Sequence, residues 1–153
     1  MATCITYLLD MKKLAPIFLL FISLSAFAQK SPIFSTDDGA IKGYDPVAYF
    51  KNGEPIKGSS EFTLKWKEAD WYFSSKENLE AFKATPEKYA PQYGGYCAFG
   101  VSKGALYKIE PEAWKIVDGK LYLNYNKSIQ KKWEANQADF IVKADSNWPK
   151  VVE

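Results

Sequence analysis

Polar and apolar side chains alternate along Glu61-Phe62-Thr63-Leu64-Lys65-Trp66, a period of two that predicts a half-buried strand. Lys67 to Asp70 reads as a polar turn, and Trp71-Tyr72-Phe73 as the returning strand. A second hairpin is predicted where Trp114-Lys115-Ile116-Val117 and Lys120-Leu121-Tyr122-Leu123-Asn124-Tyr125 flank Asp118-Gly119, since an Asp-Gly pair accepts the turn that joins antiparallel strands. Helical signals fall between and after the hairpins. Asp45-Pro46 opens a short helix through Phe50: Asp accepts from free amides, Pro suits the first helical position, and Gly53 offers a stop. Ser74 with Glu77 reads as a capping box for a helix whose Leu79 and Phe82 face the core and which ends near Thr85-Pro86. Another short helix starts at Pro86 and carries Tyr89. The last helix is predicted from about Lys127 to Asp145, with Ile129, Trp133, Phe140 and Ala144 as its apolar stripe and Trp148-Pro149 ending it. Helices and antiparallel hairpins mixed along one chain predict a small compact α+β domain with several helices, the long one at the C-terminus.

The first residues carry a different pattern. Lys12 and Lys13 precede an apolar run from Leu14 to Leu24, and Ser25-Ala26-Phe27-Ala28 follows. A basic start, a short apolar stretch and a small-x-small end predict a signal peptide over 1–28, cleaved after Ala28. Met11 suits the start of that signal better than Met1, because Asp10 is an odd neighbour for a basic n-region. The run is too short to span a bilayer and contains Pro16, and no cysteine follows it to carry a lipid. The expected product is exported, periplasmic or secreted, with no membrane anchor after cleavage. Residues 29–38, polar and without period, are expected to form a loose leader ahead of a domain over 39–153.

Composition narrows the chemistry. The chain has 153 residues and a formal charge of +2, so no basic face for nucleic acid is implied. It has no histidine and no arginine, and both methionines and Cys4 lie in the signal segment, which leaves Cys97 as the only thiol of the exported part. Histidine acid–base catalysis, Cys-His nucleophiles, guanidinium clamps and an internal disulfide are thereby excluded. Five tryptophans, with many tyrosines and phenylalanines, must supply the packing that no disulfide can.

Cys97 is the candidate site residue. Tyr93-Gly94-Gly95-Tyr96 precede it, and the two glycines permit close backbone approach and the start of a short helix at Cys97. There the helix dipole would favour the thiolate, the form that attacks disulfides or binds soft metals, with Lys103 or Lys108 to assist. The competing reading is a small buried hydrophobe. With one thiol, any redox cycle needs a partner thiol, and a copper or zinc site would have to be shared between chains or completed by carboxylates and carbonyls. Asp37-Asp38 with Asp45 is a thin oxygen cluster, read as a solvated leader and a cap. Tyr44, Tyr49, Tyr72, Tyr93, Tyr96, Trp71 and Trp114 either line a small-ligand pocket or pack the core. Lys131-Lys132 reads as a solvated face.

Several of these segments together resemble the YHS domain. They are Gly43-Tyr44-Asp45-Pro46-Val47-Ala48-Tyr49-Phe50, the Trp71-Tyr72-Phe73-Ser74-Ser75 junction, and Phe82 through Pro86-Glu87-Lys88-Tyr89. The pattern continues through Pro91-Gln92-Tyr93-Gly94-Gly95-Tyr96-Cys97-Ala98 and Asp118-Gly119-Lys120-Leu121-Tyr122-Leu123-Asn124 to Trp148-Pro149, and is similar to exported, single-domain YHS proteins of bacteria. The resemblance implies a small metal-handling module of the kind found in copper-transporting ATPases. Its cysteine ligands, however, match Ala48, Ser74 and Asn78 here, so every thiol of that version is gone. In the exported branch some relatives carry selenocysteine at the position of Cys97, which implies a chemically active site there. The expected function is a non-enzymatic binding module in metal or thiol homeostasis. Cys97 would be its metal ligand or redox contact, Tyr93, Gly94, Gly95 and Tyr96 would shape the site, and a metal-handling or thiol protein would be the partner. The alternatives are a thiol-dependent redox partner or enzyme with Cys97 as nucleophile, and a structural or interaction domain with Cys97 inert.

Overall fold

The structure, a computed structural model, describes residues 30–153; the expected signal peptide lies outside the described residues. The architecture is α+β, with antiparallel strand pairs and short helices wrapped around two adjoining apolar clusters.

The segment expected to be a loose leader is packed from Ile33 onward. Ile33 is buried, the Phe34 amide donates to the Gly94 carbonyl, and strand β1 (Ser35–Thr36) pairs with β2 (Gly39–Ala40). Local polarity hides this, because one buried isoleucine and a main-chain bond to a distant loop do the fixing. A tight turn at Ile41–Gly43 then leads to α1 (Pro46–Lys51). Asp45 caps α1 as expected, its Oδ1 accepting from the Val47 and Ala48 amides.

The first predicted hairpin forms from β3 (Ser59–Trp66) and β4 (Ala69–Phe73), with a bulge between Ser59 and Thr63. Trp71 and Phe73 point into the core and are fully buried. Helix α2 (Lys76–Ala84) begins one residue later than the capping-box reading has it. Ser75 caps it by accepting from the Asn78 amide, because both the amide and the hydroxyl of Ser74 are drawn to Asp45. Phe82 is buried as expected, but Asn78 goes inside and Leu79 is only half-buried. Helix α3 (Pro86–Tyr89) follows and buries Tyr89.

A turn at Gln92–Gly95 holds three consecutive left-handed residues, Tyr93 at φ 55°, Gly94 at 59° and Gly95 at 84°. A side chain at Gly94 would collide with the Pro32 carbonyl, so the leader passes where only glycine fits. Helix α4 (Ala98–Ser102) comes next, then the second hairpin of β5 (Glu110–Val117) and β6 (Lys120–Asn124), in which Asp118 and Gly119 take positive φ as the turn requires.

The C-terminal helix differs from expectation in two ways. It is two helices, α5 (Lys127–Glu134) and α6 (Gln137–Val152), broken where Asn136 leaves helical angles at φ −150°. The break lets Trp133 stay fully buried against Tyr122 while α6 turns to cross α4. Trp148-Pro149 does not end it. Pro149 removes one backbone donor but the helix runs on to Val152, since Trp148 and Val151 pack on the second cluster and Asn147 Nδ2 caps the Val101 and Ser102 carbonyls of α4.

Candidate functional site

Cys97 stands where α4 begins. Its amide donates to the Tyr107 carbonyl at 3.0 Å, and its carbonyl accepts from Val101, so the backbone is fixed on both sides. The sulfur itself serves as the helix cap, accepting from the Gly100 amide at 3.4 Å and from the Tyr125 amide at 3.2 Å. It also lies 3.8 Å from Asn124 Oδ1, which holds the Phe99 amide at 3.2 Å. Asn124 is fully buried, and its Nδ2 has no partner among the described residues. Because the Phe99 amide requires an acceptor, the oxygen of Asn124 is committed to it.

The residue is 1 % exposed, yet it forms the floor of an open cleft of about 380 Å³. Phe99, Gly100, Lys103, Tyr107, Tyr125 and Ile129 make the walls. Burial pushes the Cys97 thiol up, and the amide bonds from Gly100 and Tyr125 pull the other way without overcoming it. The expectation that a helix start would favour thiolate is therefore corrected. Cys97 does cap a helix, but α4 is a single short turn and desolvation wins.

The other residues grouped with Cys97 face elsewhere. Tyr93 and Gly94 line a second cleft, of about 300 Å³, with Lys67, Glu87, Asp145 and Trp148. The Tyr93 hydroxyl donates to Asp145 Oδ1 at 2.8 Å, and burial followed by that bond pushes it well above the usual tyrosine range. Gly95 packs beneath Ile41 and Pro91. Tyr96 lies edge-on to Phe34 and donates to the Ser31 carbonyl. These four brace the segment behind Cys97 and contribute no side chain to its cleft. Lys103 does line the cleft, whereas Lys108 sits 5.6 Å above the Tyr125 ring at its edge. The aromatic set splits up: Trp71 and Tyr49 are core, Trp114 packs edge-on to Tyr49, and Tyr44 lies under Lys57 in an outer groove.

Asp45, Ser74 and Asn78 form a site of another kind. Asp45 is fully buried between α1 and α2. Its Oδ2 accepts from the Ser74 amide at 2.8 Å, the Ser74 hydroxyl at 2.7 Å and Asn78 Nδ2 at 2.7 Å. With Val47 and Ala48 on Oδ1, the carboxylate has five donors and no lone pair left for a cation. Ala48, fully buried, offers nothing. These residues do not fit a transition metal. Asp37 and Asp38 are exposed, Asp38 pairing with Lys57 at 3.4 Å, and no group of three or more Cys, Asp or Glu is placed to hold a metal among the described residues.

Sequence reasoning singled out Cys97 but missed Phe99, Tyr107, Tyr125 and Ile129 as its walls, because they come from a helix, a loop, a strand end and another helix. It also read Ser74 only as a cap and a lost ligand, and Asn78 only as a lost ligand; an Asp-Pro helix start followed by paired Ser and Asn at a strand-to-helix junction was the available signal for the clasp.

The YHS domain family model matches residues 47–93. The matched segment holds α1, the first hairpin, α2, α3 and the start of the glycine turn, and ends just before Cys97. No curated protein and no solved structure matches the chain.

Proposed function

We propose, on the premise that this chain carries a YHS domain at residues 47–93, that it is an exported, non-enzymatic binding module whose ligand is met by the Cys97 thiol. The single observation that carries this reading is the position of Cys97. One sulfur, held by two backbone amides, forms the floor of an open cleft walled by three aromatic rings. Such a concave, mostly apolar space with one polar handle suits a small ligand. The raised thiol supports binding over nucleophilic catalysis, because little thiolate is present at neutral pH.

A role in metal handling would run through Cys97 alone, with further thiols supplied by a partner protein, since the Asp45–Ser74–Asn78 clasp has no free acceptor to offer. A thiol partner would meet the same sulfur. The signal pattern at residues 12–28 supports export, and cell fractionation checks it.

The test is the reaction of Cys97 with a small thiol reagent across pH, with and without Cu(I) or Zn(II). Slow labelling near neutrality that accelerates toward alkaline pH is expected, with a soft ion slowing it only when a second thiol is present. A folded protein whose Cys97 never labels, at any pH short of unfolding, overturns the reading and leaves the thiol structural.

A further inference from the structure

We infer that the Cys97 cleft takes a small organic anion, an apolar or aromatic body ending in a carboxylate or similar group. The inference deepens the reading of this cleft as the binding site and rests on it. The walls set the body: Phe99, Tyr107, Tyr125 and Ile129 present rings and a branched alkyl chain, and Tyr107 keeps half its surface open, at 52 %, on the rim.

The polar groups set the head. Lys103 lines the cleft and Lys108 stands over the Tyr125 ring at 5.6 Å. Neither makes an ion pair among the described residues, and the Lys103 ammonium rests over the Phe99 and Phe140 rings, 5.3 and 5.0 Å from their centroids. No carboxylate lines the cleft. An apolar wall with ammoniums at its edge and no carboxylate calls for a ligand whose head group is a charged acceptor. A cationic ligand would add a third positive charge to Lys103 and Lys108. A neutral one would leave both without a counter-charge.

The experiment uses the full chain and a matched series of probes: phenylpropionate, phenylpropanol and phenylpropylamine, with octanoate to ask whether the body must be aromatic. Binding is read by ligand-observed saturation-transfer NMR, and access by protection of Cys97 from a thiol reagent. Saturable binding of phenylpropionate or octanoate, absent for the amine and weaker for the alcohol, is the expected result. Lys103→Glu should weaken the anion about fivefold, the upper end for one exposed charge pair, and Lys103→Arg should restore it. Equal binding of all three phenyl probes overturns the anion class while the cleft still stands as a site. Absence of saturable binding by every probe overturns the ligand assignment. Failure of Cys97 to label, with anions still bound, separates the two readings by sinking the thiol's role alone.

Discussion

Asp45 shows how one buried carboxylate ties two elements together. Its carboxylate collects donors from its own helix and from the β4–α2 junction, joining α1 to the start of α2. Asp45→Asn keeps the shape but turns a donor toward amide and hydroxyl donors, so at least one buried group loses its partner. The expected cost is about 3 kcal/mol, read as a fall in the urea midpoint. Ser74→Ala, which leaves the Ser74 amide in place, should cost about 1 kcal/mol by the same measurement. Cys97 bears on stability through pH. Its thiol is raised in the folded chain, mainly by burial, so the unfolded chain releases that proton first. Its contribution is complete below the ordinary thiol range and fades as pH climbs through that range toward the raised folded value. Tyr93, also raised, extends the decline further into alkali. Urea midpoints of the wild type should therefore drop from roughly pH 8.5 upward, and Cys97→Ser should flatten the first part of that drop. Parallel curves for the two proteins would show that the thiol is not desolvated.

At the scale of elements, what the sequence revealed depended on whether the signal was local. Both hairpins were legible because alternation and an Asp-Gly turn are properties of neighbours, and the structure has both. α1, α2 and α3 were legible from Asp, Ser and Pro at their starts. The one-residue slip at α2 was not, since it depends on Ser74 meeting a carboxylate that lies 29 residues away. The break between α5 and α6 was hidden for a similar reason: Trp133 and Ala144 sit on one apolar stripe in sequence, but both reach the second cluster only if the axis turns at Asn136. Pro149 misled in the opposite direction. Proline usually closes a helix, yet here Trp148 and Val151 hold the last turn against the second cluster. Pro149 is exposed, so replacing it with alanine restores a donor to the Asp145 carbonyl without disturbing packing. Pro149→Ala should stabilise the protein by about 1 kcal/mol, the helical gain less the entropy proline removes from the unfolded chain. A lower urea midpoint would mean that the proline is fixing the chain end instead.

Across the whole molecule, the two apolar clusters share a wall, and that wall decides how the protein unfolds. β6 sends alternate side chains to opposite sides: Leu121 and Leu123 enter the cluster around Trp71, Phe73 and Phe82, while Tyr122 enters the one around Trp133 and Ala144. The site lies along the same seam, for Asn124 and Tyr125 close the end of β6 against Cys97, and Cys97 itself belongs to the first cluster. No local pattern in the sequence could show this, because the cleft is assembled from α4, the Tyr107 loop, the end of β6 and α5 only once the second hairpin has docked. A period of two said that Leu121 and Leu123 face one way; it did not say that the other face is equally buried. Since each cluster loses a side of its packing when β6 leaves, neither should persist alone. Urea unfolding followed by tryptophan fluorescence, which senses Trp71 and Trp133, should coincide with unfolding followed by far-ultraviolet circular dichroism. Leu121→Ala, which opens a cavity in the first cluster only, should cost about 3 kcal/mol and move both curves together. If the second cluster were self-supporting, the variant would instead separate them, with a late fluorescence phase from Trp133 and Trp148 following the main loss of secondary structure. The coincidence of the two transitions in Leu121→Ala therefore tests directly whether β6 makes one cooperative unit of the YHS segment and the thiol cleft beyond it.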